Sequence, residues 1–129
     1  MSQIILVIED QEDNRRILRD LLTSSGFKVI EAVTGLQGVE QAIRVQPDLI
    51  LMDIQLPGVD GYEATRRIRE KPSLQATPII AVTSYALSGD DLKAYAAGCD
   101  GYVTKPFSPR QLLAKVREFL SPSNESGTP

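Results

Sequence analysis

Short apolar runs alternate along the chain with segments in which apolar residues return every three or four positions. Ile4-Ile5-Leu6-Val7-Ile8 and Leu49-Ile50-Leu51-Met52 are unbroken apolar runs. Runs of that length predict strands buried on both faces of a parallel sheet. Pro78-Ile79-Ile80-Ala81-Val82 repeats the pattern, Phe27 to Ala32 alternates as a more exposed strand, and Gly101-Tyr102-Val103-Thr104 predicts a fifth.

The intervening segments predict helices. Ile17, Leu18, Leu21 and Leu22 recur at helical spacing from about Asp13 to Ser25, with Gly26 as the stop. Thr34-Gly35-Leu36-Gln37 has the form of a capping box, predicting a helix to about Val45 with Leu36, Val39 and Ile43 as its buried stripe. Asp60 is placed to cap a helix from about Gly61 to Glu70, with Ala64 and Ile68 inward, and Pro72 to Gln75 follows as loop. Leu87 to Ala97 is weakly amphipathic, relying on Leu92, Tyr95 and several alanines, which predicts a loosely held helix. Ser108-Pro109-Arg110-Gln111 opens the clearest helix, carrying Leu112, Leu113, Val116, Phe119 and Leu120. Ser121 to Pro129 is Ser, Pro and Gly with almost no apolar content, so residues 121–129 are expected to form a disordered tail after a single domain over 1–120. Strictly alternating strands and helices with right-handed crossovers imply an α/β fold: a flavodoxin-like, doubly wound (βα)5 architecture around a parallel five-stranded sheet in the order 2-1-3-4-5.

Composition narrows the chemistry. The 129 residues suffice for one domain with a real core, and the net charge of −3 comes with scattered basic residues, so no nucleic-acid footprint is expected. Histidine is absent, which excludes Ser-His and Cys-His catalysis, imidazole ligation and a phosphohistidine on this chain. Cys99 is the single cysteine; it allows no internal disulfide, fits a reducing compartment and is expected as a small buried hydrophobe. No basic leader or span-length apolar run is present, so a cytoplasmic protein without membrane association is expected.

The strand ends carry the candidate chemistry. A strand as apolar as Leu49 to Met52 ends in Asp53, and the first strand ends in Glu9-Asp10. Alone, Asp53 could equally cap the following turn. Thr83 closes the fourth strand and Lys105 the fifth, and the proposed topology gathers all these ends at one edge, where open α/β sheets bind ligands. Three clustered carboxylates repel unless a cation compensates them. Oxygen donors without nitrogen or sulfur point to Mg²⁺. A hydroxyl and an ammonium facing a metal-bound carboxylate suit a tetrahedral dianion, so phosphoryl transfer onto Asp53 is the chemistry suggested.

Glu9-Asp10, the stretch from Leu51-Met52-Asp53-Ile54-Gln55 to Leu56-Pro57-Gly58-Val59-Asp60-Gly61, Ala81-Val82-Thr83-Ser84 and Tyr102-Val103-Thr104-Lys105-Pro106-Phe107 together resemble the receiver domain of bacterial two-component response regulators. The match runs from about Gln3 to Leu120, with the motifs in the family's order and spacing. The resemblance implies that Asp53 is the phosphoacceptor and that a sensor histidine kinase or histidine phosphotransfer protein supplies the group. It implies Mg²⁺ ligation by Asp10, Asp53 and the main-chain carbonyl of Gln55, with Glu9 acting mostly through water. Thr83 would bond a phosphoryl oxygen, Lys105 would form an ion pair, and Lys105-Pro106 would be cis. Tyr102 takes the position of the family's switch aromatic, although a half-buried strand tyrosine needs no function by itself. Gln55 and Tyr85 occupy the positions that tune attack of water on the phosphoaspartate; the bulk of Tyr85 predicts a phosphoform lasting minutes or more. Glu12 and Asp13 are expected as surface acids.

Output would pass through the loosely held helix and the surface over residues 87–120, read by a downstream protein effector. The alternatives are a receiver piece of a hybrid histidine kinase, which the Met1 start disfavours; a haloacid dehalogenase-type phosphatase, which needs a second acid where this chain has Gln55; and a flavodoxin-like flavin carrier, whose phosphate the acidic stretch Glu9 to Asp13 would repel.

Overall fold

Leu, Ile and Val dominate the central runs, and a chain that buries both faces of such strands must cover them with helices on both sides. The computed structural model describes residues 3–84 and 90–120. In chain order it contains β1 (Ile4–Ile8), α1 (Glu12–Ser24), β2 (Lys28–Ala32), α2 (Gly35–Val45), β3 (Leu49–Asp53), α3 (Gly61–Arg69), β4 (Ile79–Thr83), α4 (Asp90–Ala97), β5 (Gly101–Thr104) and α5 (Pro109–Leu120). Pro72–Leu74 forms a 3₁₀ turn, where loop was expected, and Leu74 is fully buried there. Tyr85, the expected start of the fourth helix at Leu87 and the expected tail over 121–129 lie outside the described residues.

The five strands are all parallel, in the order β2-β1-β3-β4-β5. This is the doubly wound, flavodoxin-like arrangement expected from the alternation of elements. Successive side chains of a strand face opposite ways, and the core divides accordingly. Ile5, Val7, Leu49, Leu51, Ile80 and Val82 pack with Leu18 and Leu22 of α1 and with Leu112 and Val116 of α5. Leu6, Ile8, Ile50, Met52 and Ala81 pack with Ala42 of α2, Ala64 and Ile68 of α3 and Ala94 of α4.

The helix starts follow their capping residues. The Thr34 hydroxyl accepts from Gln37 N at 3.0 Å, Asp60 Oδ1 accepts from Glu63 N at 2.9 Å, and Ser108 and Gln111 bond each other's main-chain N–H at 3.0 Å. Each of these satisfies an amide that the helix itself cannot.

The buried faces of three helices differ in part from the expected ones. On α2, Leu36 is 52% exposed and Ile43 41%; of the expected stripe only Val39 packs against the core, and Gly35, Gly38 and Ala42 are the buried residues. A Cβ at Gly38 would sit against Ile8 Cδ1; the helix approaches β1 so closely that only small residues fit between them. On α4, Leu92 and Tyr95 are exposed, and Ala94 and Ala97 are the buried residues. On α1, Ile17 is also exposed, and Leu18 and Leu22 carry the packing.

Candidate functional site

Every strand runs the same way, so the carboxyl ends of β1, β3, β4 and β5 lie at one edge of the sheet. At that edge Glu9 and Asp10 leave β1 and Asp53 ends β3, and one carboxylate oxygen from each lies within 4.8 Å of the others. Glu9 is 1% and Asp53 4% exposed. Burial of an unpaired carboxylate is costly, so both must be compensated. Part of the compensation is visible. Lys105 Nζ, one residue beyond β5, lies 3.1 Å from Glu9 Oε1 and 3.6 Å from Asp53 Oδ2. Gln55 N donates to Asp53 Oδ1 at 3.0 Å, and Gln11 N donates to Glu9 Oε2 at 3.1 Å.

That compensation is incomplete. Burial first, and then the hydrogen bond to Asp53 and its charge, push the Glu9 carboxyl above its ordinary 4.5, against the pull of the Gln11 N–H and Lys105. A buried carboxyl that resists ionisation beside other carboxylates is stabilised in its charged form by an added cation. Its donors are all oxygen, the set preferred by hard divalent cations, so the residues present fit such an ion.

A cavity of about 310 Å³ opens over the acids, lined by Glu9, Asp10, Gln11, Asn14, Asp53, Gln55, Ser84 and Lys105. The structure thus brings together Glu9, Asp10, Asp53, Gln55 and Lys105. Thr83 lies buried at the end of β4, in register with Thr104, and Ser84 rather than Thr83 contributes to the cavity wall. The Gln55 side chain accepts from Ser84 N at 3.3 Å, joining the loops after β3 and β4. Tyr102 sits apart on β5, packed against the core face that α4 covers, with its ring edge-on to Tyr95 at 6.3 Å between centroids. Lys105-Pro106 is cis, as expected.

Two contributors were missed from sequence. Gly61, where α3 starts, lies against the main chain of the acceptor strand: a Cβ there would meet Asp53 O and Ile54 Cα. The sequence places it at a helix start and at the end of the Leu51–Gly61 motif, with no sign of this close approach. Arg15 donates from Nη1 to the carbonyl of Glu9 at 3.1 Å, and nothing in the pattern of α1 distinguishes it from Arg16 or Arg19.

Among the described residues no helix is long and apolar enough to cross a membrane. A second, more apolar cavity of about 450 Å³ adjoins the acids, with Ile17, Leu18, Pro106 and Phe107 in its walls.

Comparison with known proteins agrees with this geometry. The chain is 38% identical over 120 residues to the polar-differentiation response regulator DivK of Brucella ovis, covering 93% of this chain and 98% of that one. It superposes on the receiver domain of sensor histidine kinase PA1611 from Pseudomonas aeruginosa PAO1 with a TM-score of 0.87 at 38% identity, over 93% of this chain and 98% of that one. That structure holds a magnesium ion coordinated in its active site cleft. The chemotaxis protein CheY4 of Vibrio cholerae superposes with a TM-score of 0.89 at 25% identity, over 93% of this chain and all of that one. The family profile described as response regulator receiver domain matches residues 5–117. With that match running from β1 into α5 and the strand-end acids in place, the chain belongs to the response regulator receiver domain family of two-component signalling switches.

Proposed function

We propose that Asp53 accepts a phosphoryl group from a phosphohistidine on a sensor histidine kinase or histidine phosphotransfer protein, in a Mg²⁺-dependent reaction. The observation that carries this reading is the pairing of two nearly buried carboxylates, Glu9 and Asp53, with one ammonium, Lys105, at 3.1 and 3.6 Å. One carboxylate oxygen of Asp53 attacks phosphorus. The P–N bond to the donor imidazole breaks, its electron pair stays with the ring nitrogen, and an acyl phosphate on Asp53 is the product. Asp10, Asp53 and the Gln55 carbonyl would hold Mg²⁺, with Glu9 acting through water. When bound, the ion neutralises charge on the phosphoryl oxygens. Lys105 pairs with one phosphoryl oxygen and the Thr83 hydroxyl donates to another.

The chain's own catalysis is confined to its phosphorylation and slow self-dephosphorylation. Gln55 stands where a phosphatase of the haloacid dehalogenase type needs an acid, and Gln55 and Tyr85 tune the attack of water. The adjoining apolar cavity beside exposed Ile17 offers a protein donor a foothold next to Asp53. Thr83 and Tyr102 act as the switch pair, and a downstream effector reads the face over residues 87–120. Exposed Leu92 and Tyr95 on that face, with Tyr95 packed edge-on against Tyr102, support this route. A second reading, the receiver segment of a hybrid histidine kinase, is supported by the likeness to the receiver domain of PA1611. It shares the same chemistry at Asp53.

Incubation with labelled acetyl phosphate and MgCl₂ tests the reaction. The parent chain takes up acid-stable, hydroxylamine-labile label, while Asp53→Asn and EDTA-treated samples stay at background. Equal labelling of Asp53→Asn would remove the reading.

A further inference from the structure

The link between β1 and α1 is short, and it carries both Glu9 and Asp10. Gln11, at the cap position of α1, makes no side-chain cap hydrogen bond. The Glu9 carboxylate is held directly, by Lys105 and by the Gln11 N–H. Among the described residues no hydrogen bond reaches the Asp10 carboxylate; its direction depends on the main chain that bears it. That main chain is held by the Glu9 N–H, which donates to the Ala32 carbonyl of β2 at 3.0 Å, and by Arg15. Nη1 donates to the Glu9 carbonyl at 3.1 Å and makes a longer 3.5 Å contact with the Asp10 carbonyl, while Nε donates to Glu31 Oε1 on β2 at 3.0 Å. Glu31 is fixed in turn by Arg19 at 3.1 Å. The Arg15 side chain is only 16% exposed. Its planar fork can bond the two carbonyls and Glu31 at the same time, which a lysine ammonium on its flexible stem cannot reproduce.

We propose that Arg15 is a positioning residue for the divalent-cation site: by clamping the carbonyls of Glu9 and Asp10 to β2 through Glu31, it sets where the Asp10 carboxylate points. This rests on the reading above in which that carboxylate helps to hold Mg²⁺. Partners that orient metal ligands without touching the ion commonly govern affinity by an order of magnitude or more. The sign of the effect separates this role from simple charge. A guanidinium beside the site repels an incoming dication, so by Coulomb's law alone its removal tightens Mg²⁺ binding. Loss of positioning weakens it.

Calorimetric titration of the full chain with MgCl₂ at pH 7 decides between them, with far-UV circular dichroism as the check on folding. Arg15→Ala raises the Mg²⁺ Kd roughly 10-fold, and Arg15→Lys gives an intermediate value. Arg16→Ala removes the same charge one residue along, from a side chain that is 55% exposed and pairs with Asp13 at 3.3 Å; its Kd stays at or slightly below the parent value. Should Arg15→Ala fail to fold, Arg15→Lys keeps the charge, so Coulomb's law predicts no change, and a raised Kd reports the lost fork alone. A Kd for folded Arg15→Ala, or otherwise for Arg15→Lys, equal to or lower than the parent's overturns the proposal. Asp10→Asn abolishes binding if the acids hold the ion. Undiminished binding by that variant would instead remove the metal-site reading on which the proposal rests.

Discussion

Burial pushes the Cys99 thiol up to about 11, against the opposing pull of its contact with Thr65 and the charge of Arg69. The unfolded thiol ionises near its ordinary 9.0, so the folded chain keeps a proton that the unfolded chain releases. A raised folded value contributes stability that is complete below about pH 9 and is lost as pH rises through about 11. The difference is on the order of 2–3 kcal/mol. Urea midpoints measured from pH 8 upward should therefore fall more steeply for the parent than for Cys99→Ala; parallel curves would contradict the burial argument. The same physics acts on Glu9, where burial and the neighbouring Asp53 carboxylate disfavour charge. At Cys99 the result is an inert thiol; at Glu9 it is a group that favours an added cation.

The helices show how periodicity can name an element and miss its face. On α2 two stripes have the same helical spacing: Leu36, Val39 and Ile43, and, one residue before each, Gly35, Gly38 and Ala42. Hydrophobicity selects the first; packing keeps only Val39 of it and buries the second, because α2 lies too close to Ile8 at Gly38 and to Val59 at Gly35 for larger side chains. Leu36→Ala should therefore change stability by less than about 0.5 kcal/mol. Ile68→Ala, on the fully buried face of α3, should cost about 2–5 kcal/mol. Chemical denaturation of both variants checks the contrast, and a large loss for Leu36→Ala would mean that the face is assigned wrongly. On α4 the small Ala94 and Ala97 face inward while Leu92 and Tyr95 remain outside, which leaves an apolar surface beside Tyr102.

Across the molecule, Arg69 at the end of α3 joins segments far apart in sequence. It donates to the carbonyls of Gly98, Leu74 and Thr77 at 2.7–2.9 Å and pairs with Asp100 at 2.7 Å, while Asp100 accepts from Ile79 N at 2.8 Å. One guanidinium thus ties α3, the approach to β4 and the turn between α4 and β5. Its side chain is mostly buried, so Arg69→Ala leaves several acceptors unsatisfied and should cost about 2–4 kcal/mol. A urea midpoint unchanged from the parent would show that water replaces these bonds freely. The bonds hold α4 at its C-terminal end, so the clamp bears on the element assigned to output.

The order of elements, the parallel sheet and the strand-end acids follow from local chemistry. Short unbroken apolar runs bounded by turn residues favour doubly buried strands, capping residues satisfy amides within their own turn, and carboxylates that close several such runs gather at one sheet edge. Glu9, Asp10, Asp53 and Lys105 are legible in the sequence as residues at strand ends. The inward faces of α2 and α4, the closeness of Gly61 to Asp53, and the separate duties of Arg15 and Arg69 depend on which surfaces meet after the chain has folded. Glycine, alanine and arginine carry little local signal of their partners, so their roles emerge only when the neighbouring strand or carbonyl is in place.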